Sequence, residues 1–160
     1  MGLHSLRKNI SIIPQSPYIF EGTIRSNLDP FEKRSDFDLW NCLEETSLKE
    51  KINNLPDQLL TSISNNTGIF SIGEKQLLCL ARIVLERSNK IILLDEATAN
   101  IDFQTDQLIQ EYLKTKFKDC IIISVAHRLL TIADYDKIIV MNNGTIAEIG
   151  SPYELLRKKG

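Results

Sequence analysis

Residues 91–98, with the sequence IILLDEAT, decide the fold of this chain. Four apolar residues are followed directly by two carboxylates, Asp95 and Glu96. Such a run is typical of a buried parallel-sheet strand, and open α/β sheets bind ligands outside the carboxyl ends of their strands. A buried strand that ends in an acidic turn is also a common structural arrangement. The run therefore predicts an α/β fold, and the acids are candidates for holding a divalent metal ion and accepting a proton.

The composition fits one globular domain that can bury a core. The 160 residues are 42% hydrophobic and 25% charged, with 19 basic and 21 acidic side chains and a net charge of −2. This balance predicts no nucleic-acid partner. Three scattered cysteines without a C-x-x-C pair favour a reducing, cytosolic setting over zinc or disulfides. No run reaches the ~18 apolar residues of a membrane span.

A second motif, Ser71-Ile72-Gly73-Glu74, stands directly before an apolar helical pattern that begins at Leu77. Serine and glutamate three residues apart form a capping box, which is a sufficient structural reason for the pair. The amino end of a helix also carries free N–H groups and a positive dipole end, so it binds anions. The motif therefore predicts a helix start and a candidate phosphate site.

Three further polar residues follow predicted strands or stand in turns. Gln15 comes after a strand at residues 10–13 that Pro14 ends, and His127 follows a strand predicted to be buried at 120–125. Asp102 lies shortly after the acidic pair. A lone loop glutamine or strand-end histidine is usually structural, so these residues gain meaning only from the order of the whole set.

That ordered set resembles the nucleotide-binding domain of ATP-binding cassette (ABC) transporters. In the family's terms the matches are Gln15 for the Q-loop, Ser71 to Glu74 for the signature motif, Asp95 and Glu96 for Walker B, Asp102 for the D-loop and His127 for the switch histidine. The segments 2–7 and 22–31 narrow the resemblance to the second cassette of the multidrug-resistance-associated (C) subfamily.

The resemblance implies a partial P-loop NTPase core with a helical signature subdomain at about 34–88. The chain contains no G-x-x-x-x-G-K-[ST] sequence. Gly68 and Gly73 have the spacing of its two glycines, but the next two residues are Glu74 and Lys75 and not Lys followed by Ser or Thr. The amino-terminal β-subdomain and the phosphate-loop strand are therefore expected to be missing, and the chain alone is expected to bind Mg·ATP negligibly. By this resemblance the chain is expected to correspond to the carboxyl-terminal two-thirds of a cassette.

In the family, the reaction is ATP hydrolysis with Mg²⁺, coupled to transmembrane transport. The resemblance gives Glu96 the role of general base, has Gln15 and His127 orient the attacking water, and places Mg²⁺ on Asp95 and Gln15. Because family cassettes pair head to tail, the signature residues would contact the nucleotide of a second cassette and Asp102 would couple the two sites; the signature residues are Ser71, Gly73 and Glu74.

The expected setting is the cytoplasmic face of a membrane, with transmembrane domains on other polypeptide. Tyr18, Ile19 and Phe20 are candidates for the surface that meets those domains. Glu74 departs from the family's usual glutamine, and its charge is expected to repel the γ-phosphate of the opposing nucleotide unless Mg²⁺ or Lys75 screens it.

The remaining pattern predicts helices at 36–55, 104–117 and from Pro152, and a β-hairpin at 138–149. In the first of these helices the apolar positions are interpreted as core or packing residues, namely Phe37, Trp40, Leu43, Leu48, Ile52 and Leu55.

Three alternatives remain open. The chain could be a non-catalytic module that only lends its signature motif to a partner, or a gene fragment without independent function. It could also be a soluble ABC ATPase of translation or repair, although the lack of a heptad pattern between Gln15 and Ser71 disfavours the relatives that carry a coiled coil there.

Overall fold

The computed structural model describes residues 2, 9–64, 67–86, 90–97, 101–126 and 132–157. The chain divides into two compact units, residues 1–125 and 126–160. In chain order the described elements of the first unit are β1 (Ile10–Ile13), β2 (Gly22–Thr23), α1 (Ile24–Leu28), α2 (Asp36–Glu45), α3 (Lys49–Asn53), a 3-10 turn (Gln58–Leu60), β3 (Ser62–Ile63), α4 (Ile72–Leu85), β4 (Ile91–Asp95), α5 (Phe103–Lys116) and β5 (Ile121–Val125). Those of the second are β6 (Ile138–Asn142), β7 (Thr145–Gly150) and α6 (Pro152–Arg157).

The first unit is built on a three-stranded parallel sheet with the order β1-β4-β5. The predicted strand after Lys90 is its central member, and the predicted α/β fold is confirmed. Ile13 pairs with Leu94, and Asp95 pairs with Val125. Because the strands are parallel, their carboxyl ends meet at one edge of the sheet.

One face of this sheet packs against helices, whereas none of the described elements of the first unit covers the other. Ile13, Ile92 and Leu94 are buried with Ile109 and Leu113 of α5. On the opposite face, four apolar side chains are more than half exposed, namely Ile12, Ile121, Ile123 and Val125. The strand at 121–125 is therefore confirmed, but its predicted burial is wrong because β5 is an edge strand with only one covered face.

Helix α4 is the central helix of the first unit. Ser71 caps its start, and its straight-chain and small residues favour the helix. Its sequence is apolar on several sides, and it contacts α1, α2, α5 and β1. Buried positions are Gly73, Gln76, Leu77, Leu78, Cys79, Leu80, Ala81, Ile83 and Leu85. Each buried leucine or isoleucine contributes roughly 1.5–3 kcal/mol, so this helix supplies much of the core.

The helix predicted at 36–55 is in fact two helices, α2 and α3. Ser47 adopts a positive φ of 59°, which no α-helix tolerates, so the helical conformation is interrupted between them. Leu43, Leu48 and Ile52 are buried as predicted. Phe37 is 73% exposed, so its assignment to the core is wrong, because the buried side of α2 is formed by Leu39, Cys42 and Leu43.

The second unit contains the predicted hairpin and the predicted last helix. β6 and β7 pair antiparallel around Asn143 and Gly144, whose φ angles are 49° and 77°. Two positive φ angles are the requirement of a type I′ hairpin turn, and Asn-Gly meets it best. None of the helices in the described ranges is long and apolar enough to cross a bilayer.

The open sheet face predicts self-association of the chain. Replacing Ile121 and Ile123 together with Thr keeps β-branched side chains in the strand but removes exposed apolar surface. The variant should remain monomeric at concentrations where the parent chain associates, as measured by sedimentation velocity. The control is Leu60→Thr, which removes an exposed leucine outside the sheet. Equal association of all three proteins would contradict the prediction.

Candidate functional site

Gln15 and Glu96 meet at the carboxyl edge of the sheet. Ile13 pairs with Leu94, and each of the two residues stands two positions beyond that pair. The side-chain nitrogen Nε2 of Gln15 donates a hydrogen bond to Oε2 of Glu96 at 2.9 Å. Two residues separated by 81 positions are thus brought into contact. Such contact is needed if both are to act on one water molecule, as the family resemblance implies.

The backbone of Glu96 is held in an unusual conformation. Its φ is 46°, in the left-handed region that residues other than glycine rarely occupy. The Glu96 N–H donates to the carbonyl oxygen of Val125 at 3.0 Å, which fixes the turn to the end of β5. Backbone strain of this kind costs of order 1–3 kcal/mol and is concentrated at functional sites. The turn directs the Glu96 side chain towards Gln15.

Asp95 is the last residue of β4 and is exposed. Among the described residues no group of three or more His, Cys, Asp or Glu side chains could hold a metal ion by itself. Mg²⁺ does not require such a cage, because it keeps several waters and is held by one or two carboxylates together with substrate phosphates. An exposed carboxylate beside a carboxylate–amide pair supplies the oxygen donors that Mg²⁺ prefers, so the residues fit this ion.

His127 lies outside the described residues. The strand that precedes it, β5, ends at Val125, two positions earlier. The role that the family resemblance gives to this histidine therefore stays a prediction. Residues 98–100, between the acidic pair and Asp102, also lie outside the described ranges.

The predicted capping box at the start of α4 is confirmed. The Ser71 hydroxyl accepts a hydrogen bond from the Glu74 N–H at 3.2 Å, and the Glu74 carboxylate accepts one from the Ser71 N–H at 2.7 Å. Ser71 has extended backbone angles and is exposed. The side chain of Ser71 also hydrogen-bonds the Glu74 carboxylate, so the hydroxyl both accepts and donates within the capping box.

The Glu74 carboxylate also forms an ion pair with a residue that is distant in the sequence. Nζ of Lys51, on α3, lies 2.8 Å from Oε1 and 2.6 Å from Oε2. Partial burial opposes ionisation, but the hydrogen bonds from Lys51 and Ser71 outweigh it and hold the pKa of Glu74 below its ordinary value. The sequence prediction named Mg²⁺ or Lys75 as the possible screen of this charge, whereas in the structure Lys51, which that prediction did not include, pairs with it directly.

Gly73 brings the starts of α4 and α5 together. A Cβ at this position would lie 3.2 Å from Oγ1 of Thr105 and 3.3 Å from Oδ2 of Asp102. Asp102 caps α5 by accepting bonds from the Thr105 N–H at 2.9 Å and the Thr105 hydroxyl at 2.8 Å. These two bonds hold the pKa of Asp102 below its usual range, and the bond from the Thr105 N–H contributes most. Glycine here permits the close approach of two predicted site residues.

Sequence reasoning missed Gln76, which fixes the position of the Gln15 loop. Its side chain is 1% exposed, and Nε2 donates to the carbonyl oxygens of Pro14 at 3.0 Å and Gln15 at 3.2 Å. The available signal was a polar residue inside the apolar pattern of α4. Through these bonds α4 holds the residue that contacts Glu96.

Arg82, further along α4, was also missed. Its guanidinium donates to the Asn27 carbonyl at 2.7 Å, to Asn27 Oδ1 at 2.9 Å and to the Tyr18 carbonyl at 2.8 Å. Asn27 in turn exchanges hydrogen bonds with the backbone of Phe20, both 2.9 Å long. The segment after Gln15 is therefore attached to α4 at a second point.

The structure has a parallel α/β core with an acid–amide pair at its carboxyl edge, and comparison with known proteins gives the family. A family model of ABC transporters matches residues 2–99. The chain belongs to the ABC transporter family, and the fold described above is a partial ABC ATPase core.

The relatives are transporters of one subfamily. The chain is 56% identical over 99% of its length to the probable multidrug resistance-associated protein lethal(2)03659 of Drosophila melanogaster. It is 50% identical over 99% to human ATP-binding cassette sub-family C member 4, and 49% identical over 100% to rat sub-family C member 2. It spans 11%, 12% and 10% of these three relatives respectively. The resemblance to the multidrug-resistance-associated subfamily is confirmed.

The position of Gln76 gives a stability prediction. Gln76→Ala removes the donor of two backbone carbonyls and should lower the free energy of unfolding by about 1–3 kcal/mol, measured by urea denaturation. Gln107→Ala, at an exposed position of α5, should change it by no more than about 0.5 kcal/mol. Similar losses in the two variants would show that the Gln76 contacts contribute nothing specific.

Proposed function

We propose that this chain forms the water-activating part and the signature part of an ABC cassette, in the position of the second cassette of a C-subfamily transporter, where ATP hydrolysis drives transport. The observation that supports this most directly is the 2.9 Å hydrogen bond between Gln15 and Glu96 at the carboxyl edge of a parallel sheet. Ligands of open α/β sheets bind at this edge.

In the proposed reaction Glu96 is the general base. Its carboxylate accepts the proton of the water that attacks the γ-phosphate, and the Gln15 amide fixes the direction of that carboxylate. Catalysis of phosphoryl transfer depends on such positioning and on charge stabilisation. His127 is proposed to orient the same water, on the basis of the family resemblance alone.

Asp95 and Gln15 are the proposed Mg²⁺ ligands. Bound Mg²⁺ neutralises charge on the phosphates of ATP. Asp95 and Glu96 stand at the same end of β4. An ion held by Asp95 and the proposed base Glu96 would therefore act on the same bound ATP molecule.

The start of α4 supports a second role, towards the nucleotide of another cassette. Ser71 and Gly73 present the amino end of a 14-residue helix, where free N–H groups and the dipole attract phosphate. Ile72 and Phe103, the first residues of α4 and α5, are 53% and 63% exposed. Two exposed apolar side chains beside paired helix starts suit a surface that a second cassette covers, with Asp102 between the two sites.

The segment after Gln15 is the proposed contact with transmembrane domains at the cytoplasmic face of a membrane. Tyr18 and Phe20 are 55% and 53% exposed and pack edge to face at 4.9 Å, while Ile19 is buried and takes no part in this surface. The Arg82 guanidinium lies 5.3 Å from the centre of the Phe20 ring, which links this surface to α4. Movement at the contact would thus reach both Gln15 and the signature residues.

The test uses a completed cassette, meaning this chain preceded by a phosphate-loop segment of the ABC family. Glu96→Gln keeps size and hydrogen bonding but cannot accept a proton, so steady-state ATP hydrolysis should fall by roughly 10²–10⁴-fold while ATP binding is retained. The matched control is Glu111→Gln, at an exposed position of α5, which should hydrolyse ATP normally.

Two results would overturn the proposal. Unchanged hydrolysis in Glu96→Gln would remove Glu96 from the reaction. Hydrolysis absent from both the parent cassette and the control, with ATP still bound, would favour the non-catalytic alternative in which the chain only lends its signature residues to a partner.

A further inference from the structure

The Glu74 carboxylate presents a problem for the proposed function. It stands in the first turn of α4, three residues from Ser71, at the helix start proposed to face a phosphate. An uncompensated negative charge beside a phosphate group opposes binding, because like charges that meet across an interface repel each other. A working signature surface therefore requires that this charge be balanced within the chain.

We propose that Lys51 is the charge-compensating residue of the signature surface, and that it positions the Glu74 carboxylate so that the start of α4 can still accept the phosphate of a partner's nucleotide. The inference rests on the proposed function, in which Ser71 and Gly73 face that nucleotide. Lys51 acts through Glu74 and is a positioning residue.

The geometry of the pair is specific. Nζ of Lys51 contacts both carboxylate oxygens, at 2.8 and 2.6 Å, and the two side chains are only 36% and 29% exposed. Oε2 also accepts the Ser71 N–H, so the carboxylate is held from two directions. A surface ion pair with free side chains contributes little, whereas a pair fixed by an additional hydrogen bond keeps one geometry.

Lys51 is itself fixed by its surroundings. Its ammonium group lies 5.4 Å from the centre of the Phe70 ring, in cation–π range, and Phe70 is 5% exposed. Its neighbour Ile52 is fully buried and anchors α3 in the core. Lys51 therefore occupies a place between Phe70 and Glu74, where its charge cancels that of the carboxylate.

The same helix supplies a matched control. Lys49 pairs with Glu44 at 2.8 Å, and its side chain is 45% exposed. Lys49→Met and Lys51→Met remove the same charge from the same helix. Only the second leaves Glu74 without its cation.

The experiment measures binding of the full chain to a second ABC cassette that has a complete phosphate loop and a blocked hydrolysis step, by fluorescence anisotropy with ATP or ADP. With ATP, Lys51→Met should bind about tenfold more weakly than the parent chain, and Lys49→Met should bind normally. Glu74→Gln should bind at least as well as the parent chain. The double variant Lys51→Met with Glu74→Gln should return to within about threefold of Glu74→Gln alone, because no charge is left to balance.

The outcomes separate the two proposals. If the parent chain shows no ATP-dependent binding, the proposed function fails and this inference fails with it. If the parent chain binds but Lys51→Met binds equally well, or if Glu74→Gln does not restore binding to Lys51→Met, only the inference is overturned. Melting temperatures of all variants are measured as well. If the ion pair were purely structural, its loss would lower the melting temperature, and Glu74→Gln would not restore binding to Lys51→Met.

Discussion

The hydrogen bonds from Gln76 to the carbonyls of Pro14 and Gln15 are the contacts on which the arrangement of the site depends. The parallel register brings Gln15 level with Glu96, but Gln15 is on a loop beyond the paired residues of β1, and within the described part of the chain no strand pairs with it. A buried side chain from α4 supplies that support. Because α4 packs on the sheet and on three other helices, the loop is fixed relative to the core of the first unit.

The same helix joins the two proposed halves of the site. Its first turn presents Ser71 and Gly73, and its next turn carries Gln76. Close contact between Gly73 and Thr105 adds the start of α5 to this block, and Lys51 adds α3 through Glu74. A displacement of the signature residues would therefore be transmitted to the Gln15 loop through a single helix, which is the proposed physical basis for coupling between opposing nucleotides.

Local patterns predicted the parts that local interactions determine. The strand that ends in Asp95, the cap formed by Ser71 and Glu74, and the hairpin around Asn143 depend on neighbours within a few positions. The open face of β5 and the exposure of Phe37 depend on what packs against each element, which alternation cannot reveal. Lys51 and Glu74 are 23 positions apart on different helices, so no spacing rule joins them. Gln76 was overlooked because its partners are backbone carbonyls 62 and 61 positions away.

The central claim is that the start of α4 faces the nucleotide of a second cassette, and ATP-dependent cross-linking tests it most directly. Ile72→Cys places a thiol at this surface, and Phe37→Cys places one at an exposed position of α2. Cys120 is replaced by Ser so that it cannot react. Cys42 and Cys79 can be kept, because burial raises the pKa of Cys42 to about 12 and also raises that of Cys79, and both thiols stay unreactive. With a partner cassette that carries a cysteine beside its phosphate loop, a cross-link from position 72 is expected with ATP and not with ADP, and none from position 37. Equal yields from the two positions, or a yield that does not depend on ATP, would contradict the claim.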